Sequence, residues 1–558
     1  MADNLSALDD VTLKIIWDRL VSVMNEAAET LYRSAFSPLV RESKDGACAL
    51  LAPSGETIAI GDTALPSFAT TQQLTLEAAL KQFPLETWAP GDVLMTNDPW
   101  LGPAQVNDIT LLKPVFYKGR LVAFTGSVAH SPDLGGVTRY NGAADVFEEG
   151  LLIPLIHLYR GGEPNETLFQ LIAANSRVPQ EALGDLNAQL AAQDVTERRV
   201  LAILDEYGLD DLDAVTTAIL GRTEQAMRNA IAAIPDGEYR HEMDADGVPG
   251  PLERDRAREM PAMHLAIRIR VRGSEIEVDL TESSAQVEAA INSLYTFTYA
   301  YVAYTLRVML VPNLPQNGGS TRPIQLKVEE GTVYHARRPA PTMSRAVVGH
   351  TVSDLIFGAL AGPLEHRVRG NGGSTPTWVL VIVGRDYNDR PYQRVLPTNG
   401  GLGGQEGGDG LVLSFPSNTQ NLGVEMLEAS TPVLVDCREM IPDSGGAGRF
   451  RGGVGIRFSV RAIAKTIFSL AIGHVKHAPQ GILGGAPGRA GRVDLNGRTL
   501  GPGAEGILDA GDVLTLETPG GGGFGVPGQR EKERVAKDVN EGLVTETQAS
   551  AAYGGFGR

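Results

Sequence analysis

The placement of glycine constrains this chain more than any other feature of its sequence. The last third carries Asn371-Gly-Gly, Gly400-Gly-Leu-Gly-Gly404, Ser444-Gly-Gly-Ala-Gly-Arg-Phe-Arg-Gly-Gly453 and Pro519-Gly-Gly-Gly-Gly523, within a total of 65 Gly and 33 Pro. Such content points to many short strands joined by ordered loops. A residue without Cβ serves either a sharp turn or the close approach of a ligand to backbone. Tight turns are the expected use. None of these blocks sits between a strand and a helix with the Lys-Ser/Thr pair that a phosphate-cradling loop requires. If ATP enters the chemistry, another subunit is expected to bind it.

A chain of 558 residues allows roughly three to four compact units, with substantial cores. Hydrophobic residues at 42% and charged residues at 21% are ordinary for a globular protein. The formal net charge of −18 and a pI near 5.1 argue against nucleic acid or anionic lipid as partners. Two cysteines far apart in sequence, Cys48 and Cys437, exclude a disulfide scaffold and a thiolate zinc cluster. The N-terminus lacks a basic start and apolar run, and no segment offers about 18 uninterrupted apolar residues, so a soluble cytoplasmic protein is expected.

Hydrophobic spacing suggests an α+β, multi-domain chain, β-rich with Gly-rich loops and several amphipathic helices. Leu13, Ile16, Trp17, Leu20, Met24, Ala27, Ala28 and Leu31 recur every three to four residues behind a capping Asp9 or Asp10, and form the core face of a helix. Apolar segments flanking Pro53-Ser54-Gly55 predict a hairpin, a helix is expected over 74–83, and strands are expected near 92–96, 109–116 and 121–128. Helical patterning covers 189–204 and 214–234, and residues 289–311 predict a buried helix. These segments divide the chain into an N-terminal α+β region (1–165), a helical segment (166–235), a mixed α+β region (236–340) and a β-rich, Gly-rich C-terminal region (341–558).

Polar residues at strand ends are the first place to expect chemistry, because a rigid scaffold can aim them at one point. Arg41-Glu-Ser-Lys-Asp45, the irregular segment 97–108 and His130-Ser-Pro-Asp133 qualify. Asp45, Asp108 and His130 together offer two carboxylates and an imidazole, suited to a divalent metal or to acid/base catalysis. The bland alternative has Asp98 and Asp133 bracing turns and His130 satisfied in a core. His474 and His477 are taken as structural.

These residues lie in motifs that resemble the hydantoinase B/oxoprolinase family nearly from end to end. They include Arg33-Ser-Ala-Phe-Ser-Pro, Gly91-Asp-Val-Leu-Met-Thr-Asn-Asp-Pro-Trp100, Ala129-His-Ser-Pro-Asp-Leu-Gly-Gly136, Glu148-Glu-Gly-Leu-Leu-Ile-Pro154 and the glycine blocks at 442–453 and 519–525. The resemblance implies a subunit that works beside a hydantoinase A type ATPase, with a small accessory subunit in some assemblies. The partner would bind ATP with Mg and phosphorylate a small carbonyl compound, and this chain would complete the reaction.

In metal-using relatives the segment after Asn-Asp-Pro reads Tyr-x-Gly-Gly-Thr-His-Leu-Pro-Asp, and a His-His-Ala-Asp segment follows the next strand. The matching positions here are Asp45, Gln105, Asp108 and His130, with Gln105 replacing a histidine. An amide is a weak ligand, so affinity for Zn or Mn should fall. Phe68 stands where relatives carry another histidine, and with Trp100 and Gln105 it is a candidate substrate contact. His130, Asp108 and Asp45 are the candidate catalytic residues. More aromatic surroundings favour ATP-dependent carboxylation of a ketone, of the acetophenone carboxylase kind, with bicarbonate as co-substrate. The alternatives are ATP-dependent hydrolysis of a cyclic amide (N-methylhydantoin, 5-oxoproline or a lactam) and a non-catalytic structural subunit.

Overall fold

A computed structural model describes residues 9–138, 142–248, 262–413 and 415–554. Helix α1 (Asp10–Ser34) begins where the Asp9 carboxylate accepts the Thr12 N–H at 2.7 Å, and all eight of the periodic apolar residues are buried along it. A single turn, α2 (Pro38–Arg41), leads into the predicted hairpin of β1 (Gly46–Leu51) and β2 (Thr57–Ile60). Helix α3 (Pro66–Gln82) follows and starts eight residues before the predicted 74–83. Its first turns carry buried polar side chains that hide a helical pattern. They are satisfied within the helix, as Thr71 Oγ1 donates to Ser67 O at 2.6 Å and Gln72 Nε2 to Phe68 O at 3.0 Å.

Strands β3 (Val93–Thr96), β4 (Asp108–Tyr117), β5 (Arg120–His130), β6 (Ile156–Arg160) and β7 (Glu163–Pro164) complete an antiparallel sheet of order β2-β1-β5-β4-β3-β6-β7. Helices α4 (Glu166–Asn175), α5 (Pro179–Tyr207) and α6 (Asp213–Ala232) come next. Alternation along the strands divides the faces. Ala49, Leu51, Leu112 and Phe124 pack on Ala69, Leu76 and Ala79 of α3, whereas Cys48 and Ala129 pack on Ala27, Ala28 and Leu31 of α1 and Ala188 and Ala192 of α5. Each fully buried Leu or Phe contributes about 1.5–3 kcal/mol, so both faces are firmly held. Gln189 and Gln193 of α5 donate to the Ile109 and Leu111 carbonyls at 2.9 and 3.0 Å, tying the helical segment to this sheet.

A second sheet is built from Ile324–Lys327, Glu275–Asp279, Met263–Arg272 and Gly237–Ala245, in that order. Helices α7 (Tyr295–Leu310), α8 (Ala346–Gly349) and α9 (Thr351–Ala359) share its core. The apolar stretch predicted as helix over 289–311 becomes helical only at Tyr295. The residues before it form bends and a tight turn, with Ile291 N–H on Ala289 O at 2.8 Å, and Ser293 is tied to another segment, its N–H on Val333 O at 2.7 Å and its O accepting the Ala336 N–H at 3.1 Å. Two further sheets, containing Trp378–Arg385 and Ile456–Ala462, close over Trp378, Phe458, Phe468 and Leu514.

The glycine blocks are not chiefly turns, which corrects the expectation above. Residues 519–523 run extended through a ring of other loops. Gly521, Gly522 and Gly523 donate to the carbonyls of Gly453, Asn371 and Ala486, each at 2.9 Å, and Gly446, Gly404 and Ile482 donate back to theirs. A Cβ at Gly521 would stand 2.2 Å from Leu402 O, and one at Gly522 2.0 Å from Gln480 O. Absence of Cβ here permits backbone to pack on backbone, and the buried peptide groups satisfy one another. No helix among the described residues is long and apolar enough to cross a membrane.

Candidate functional site

Sheet register assembles the site. Asp108, the first residue of β4, lies directly across from His130, the last residue of β5. His130 N–H in turn donates to the carbonyl of Asp45, one residue before β1, at 3.2 Å. Side chains in one row of a sheet point to the same face. Three residues distant in sequence therefore converge on the face covered by α3, where Phe68 is buried against Ala47 and Val128.

Asp108 is completely buried and its two oxygens have separate duties. Oδ1 is 2.8 Å from His130 Nδ1, and Oδ2 accepts from Arg345 Nη2. Arg345, supplied by the turn entering α8, also donates from Nη1 to Gln105 Oε1 and from Nε to Pro103 O at 2.6 Å. Its guanidinium lies over the Phe297 ring at 4.8 Å. Because a carboxylate can only accept, Asp108 holds the proton of a neutral imidazole on Nδ1 and leaves a lone pair on Nε2. That Nε2 is buried and has no hydrogen-bond partner among the described residues.

The electrostatics suit a base. Burial alone would lower the His130 pKa, but the hydrogen bond and charge of Asp108, with Asp45 beyond, outweigh it and raise it above the ordinary 6.5. Burial pushes the Asp45 carboxyl up to about 6, against the attraction of His130. His350, at the start of α9, is pushed down to about 3 by burial and by the Arg345 charge, and stays neutral beside the Tyr301 hydroxyl at 3.0 Å.

Asp45, Phe68, Gln105, His130, Phe297, Tyr301, Arg345 and His350 line one cavity of about 90 Å³. A single water needs about 10–15 Å³ by this kind of measure, so a small organic molecule can enter. Of the sequence candidates, Asp108 stands behind His130 and is not among the lining residues, and Trp100 lies apart from the group. Its Nε1 donates to Ala336 O at 3.1 Å, its ring lies under the Arg338 guanidinium at 4.4 Å, and it is not among the residues lining the cavity. The turn-bracing expectation holds for Asp98, which accepts the Trp100 N–H, and for Asp133, which accepts the Gly135 N–H. His474 and His477 are structural, bonded to the Thr375 carbonyl and to Asp246 respectively.

Sequence reasoning missed Arg345, His350, Phe297 and Tyr301, which lie outside the recognisable motifs. It also left Glu149 without a role. Glu149 is fully buried, and its Oε1 accepts the N–H groups of Thr342 and Met343 at 2.5 and 2.7 Å. It thereby fixes the turn that carries Arg345.

The metal implied by the resemblance does not fit these residues. Gln105 Oε1 and Asp108 Oδ2 both face the Arg345 guanidinium, and Asp108 Oδ1 faces His130. Among the described residues, no three His, Cys, Asp or Glu side chains are arranged to hold a metal ion. A cation already occupies the position where a divalent ion would need those lone pairs.

Comparison with known proteins bears on the chain as a whole. The sequence pattern of the hydantoinase B/oxoprolinase family matches residues 9–527. The chain is 30% identical to the B subunit of a putative D-/L-hydantoinase from Pseudomonas sp. (strain NS671), over 99% of this chain and 96% of that one. It is 29% identical to the beta subunit of caprolactamase from Pseudomonas jessenii, again over 99% and 96%. The crystal structure of the ATP-dependent caprolactamase from that organism superposes with a TM-score of 0.89 at 27% identity, covering 98% of this chain and 96% of that one. A nucleotide-free acetone carboxylase shares the fold, with a TM-score of 0.85 at 19% identity over 99% of this chain and 80% of that one.

Proposed function

Because this chain belongs to the hydantoinase B/oxoprolinase family, we propose that it is the B-type subunit of an ATP-dependent enzyme and completes a reaction on a small carbonyl compound after ATP-driven activation by a hydantoinase A type partner. The partner binds ATP with Mg. The observation that carries this reading is the Asp108-oriented imidazole of His130, whose Nε2 has no partner among the described residues, in a cavity that Arg345, Phe68, Phe297 and Tyr301 also line.

His130 Nε2 takes a proton from the reacting group, and Asp108 stabilises the imidazolium that results. Arg345 stabilises the negative oxygen that develops, beside the buried rings of Phe297 and Tyr301. The reaction we assign is carboxylation of a ketone. His130 removes a proton from the carbon beside the ketone carbonyl, Arg345 holds the enolate oxygen, and that carbon attacks the carbon of bicarbonate that the partner has phosphorylated with ATP, forming the carbon-carbon bond as inorganic phosphate leaves. The rings of Phe68, Phe297 and Tyr301 suit an uncharged substrate.

A second reading, hydrolysis of a cyclic amide with water as the nucleophile, is favoured by the 30% identity to the hydantoinase chain and the close superposition on caprolactamase. Purification of the complex co-expressed with its ATPase partner, followed by turnover assays with and without bicarbonate, separates the two. Bicarbonate-dependent product from a ketone is expected. Ring opening of a lactam or hydantoin without bicarbonate would replace the carboxylase assignment with the hydrolase one.

A further inference from the structure

The pocket contains a cation that belongs to the chain itself. Arg345 is 7% exposed, and its head is held from three directions by Asp108 Oδ2, Gln105 Oε1 and Pro103 O. These are two side-chain oxygens and one backbone carbonyl, the kind of oxygen set that otherwise gathers around a hard metal ion. The guanidinium has five N–H groups, of which these contacts use three, and it borders the cavity. Glu149 anchors the turn immediately before it through the Thr342 and Met343 N–H groups, so the head is placed by a built support.

We propose that Arg345 is the resident cation of this site: it takes the place and the electrostatic role of a divalent metal, and it receives an oxyanion of the bound substrate. The exchange is chemically consistent at Gln105. A neutral amide oxygen is a poor metal ligand but a good acceptor for a guanidinium, whereas an imidazole can accept only through its one unprotonated nitrogen and opposes the cation once it is charged. Gln105 therefore suits Arg345 better than it suits a metal ion. This inference concerns what the pocket holds and stands whichever reaction is completed there.

Elemental analysis of the purified full-length chain, after exposure to Zn or Mn and gel filtration, is the first test. Wild type should retain neither metal, and the double variant Gln105→His with Arg345→Ala should gain about one ion per chain, because it restores an imidazole and vacates the cation position. Thermal unfolding with acetate as the oxyanion probe supplies the second measurement. Acetate should raise the wild-type midpoint and leave that of Arg345→Met unchanged. About one tightly held ion per wild-type chain that disappears in Asp108→Asn would overturn the proposal, as would a wild-type midpoint indifferent to acetate. If any of the three variants fails to fold, the two wild-type results, metal retention and the response to acetate, still decide.

Discussion

Asp108→Asn is the most informative single change, because the structure dictates how the new side chain must sit. Asparagine fills the same space but has one acceptor end and one donor end. Arg345 can only donate, so the amide oxygen must face its Nη2 and the amide NH₂ must face His130 Nδ1. Nδ1 then has to accept, which moves the imidazole proton to Nε2 and removes the base from the cavity. Arg345, itself buried, meanwhile loses its charged partner. Breaking such a pair costs about 3–5 kcal/mol, and about 3 is expected here because the amide oxygen still accepts one hydrogen bond. General base catalysis contributes about 10²–10⁴-fold, so turnover of the assembled complex should fall within that range. Nitrogen NMR of the imidazole should report the proton on Nε2 in the variant and on Nδ1 in wild type. Unchanged turnover with an inverted tautomer would refute the assignment of His130 as base.

Activity should rise as pH climbs through the His130 pKa, which lies above 6.5, because only the neutral imidazole accepts a proton. Arg345 holds that pKa down, so in Arg345→Met the acidic limb of the pH profile should move to higher pH. Glu149→Ala leaves two buried N–H groups without a partner and should cost about 2–6 kcal/mol, at 1–3 for each donor, read by chemical denaturation. Glu149→Gln keeps an oxygen for both donors and should be tolerated. Burial raises the Glu149 carboxyl from 4.5 to about 8, so its contribution to stability is complete below 4.5 and is lost as pH rises through about 8. The glutamine variant should flatten that alkaline loss. Gly521→Ala forces a methyl to within 2.2 Å of a backbone oxygen and should lower stability by at least about 1–3 kcal/mol in thermal unfolding.

The first sheet and its candidate site were legible because they depend on local patterns. Periodic apolar residues defined α1, turn residues defined the hairpin, and polar residues at strand ends pointed to Asp45, Asp108 and His130. Their convergence required only antiparallel pairing in the right register. Arg345 was not legible, because a buried arginine has no periodic signature and its partners lie about 240 positions away in the chain. Trp100 was misplaced for a related reason: its aromatic character is visible in sequence, but the Ala336 carbonyl that binds its indole is not. The glycine blocks were noticed and their use misjudged. Turns and backbone-to-backbone packing require the same residue, and only the neighbouring loops at 402, 444 and 480 distinguish them.

The central claim is that this chain supplies the base for the step after ATP-driven activation. It is tested most directly by His130→Gln in the complex co-expressed with the hydantoinase A type partner, with phosphate release from ATP and final product measured side by side. The account predicts that the partner still consumes ATP with the cognate substrate while product formation collapses. Product formed at the wild-type rate by the intact His130→Gln complex would contradict it.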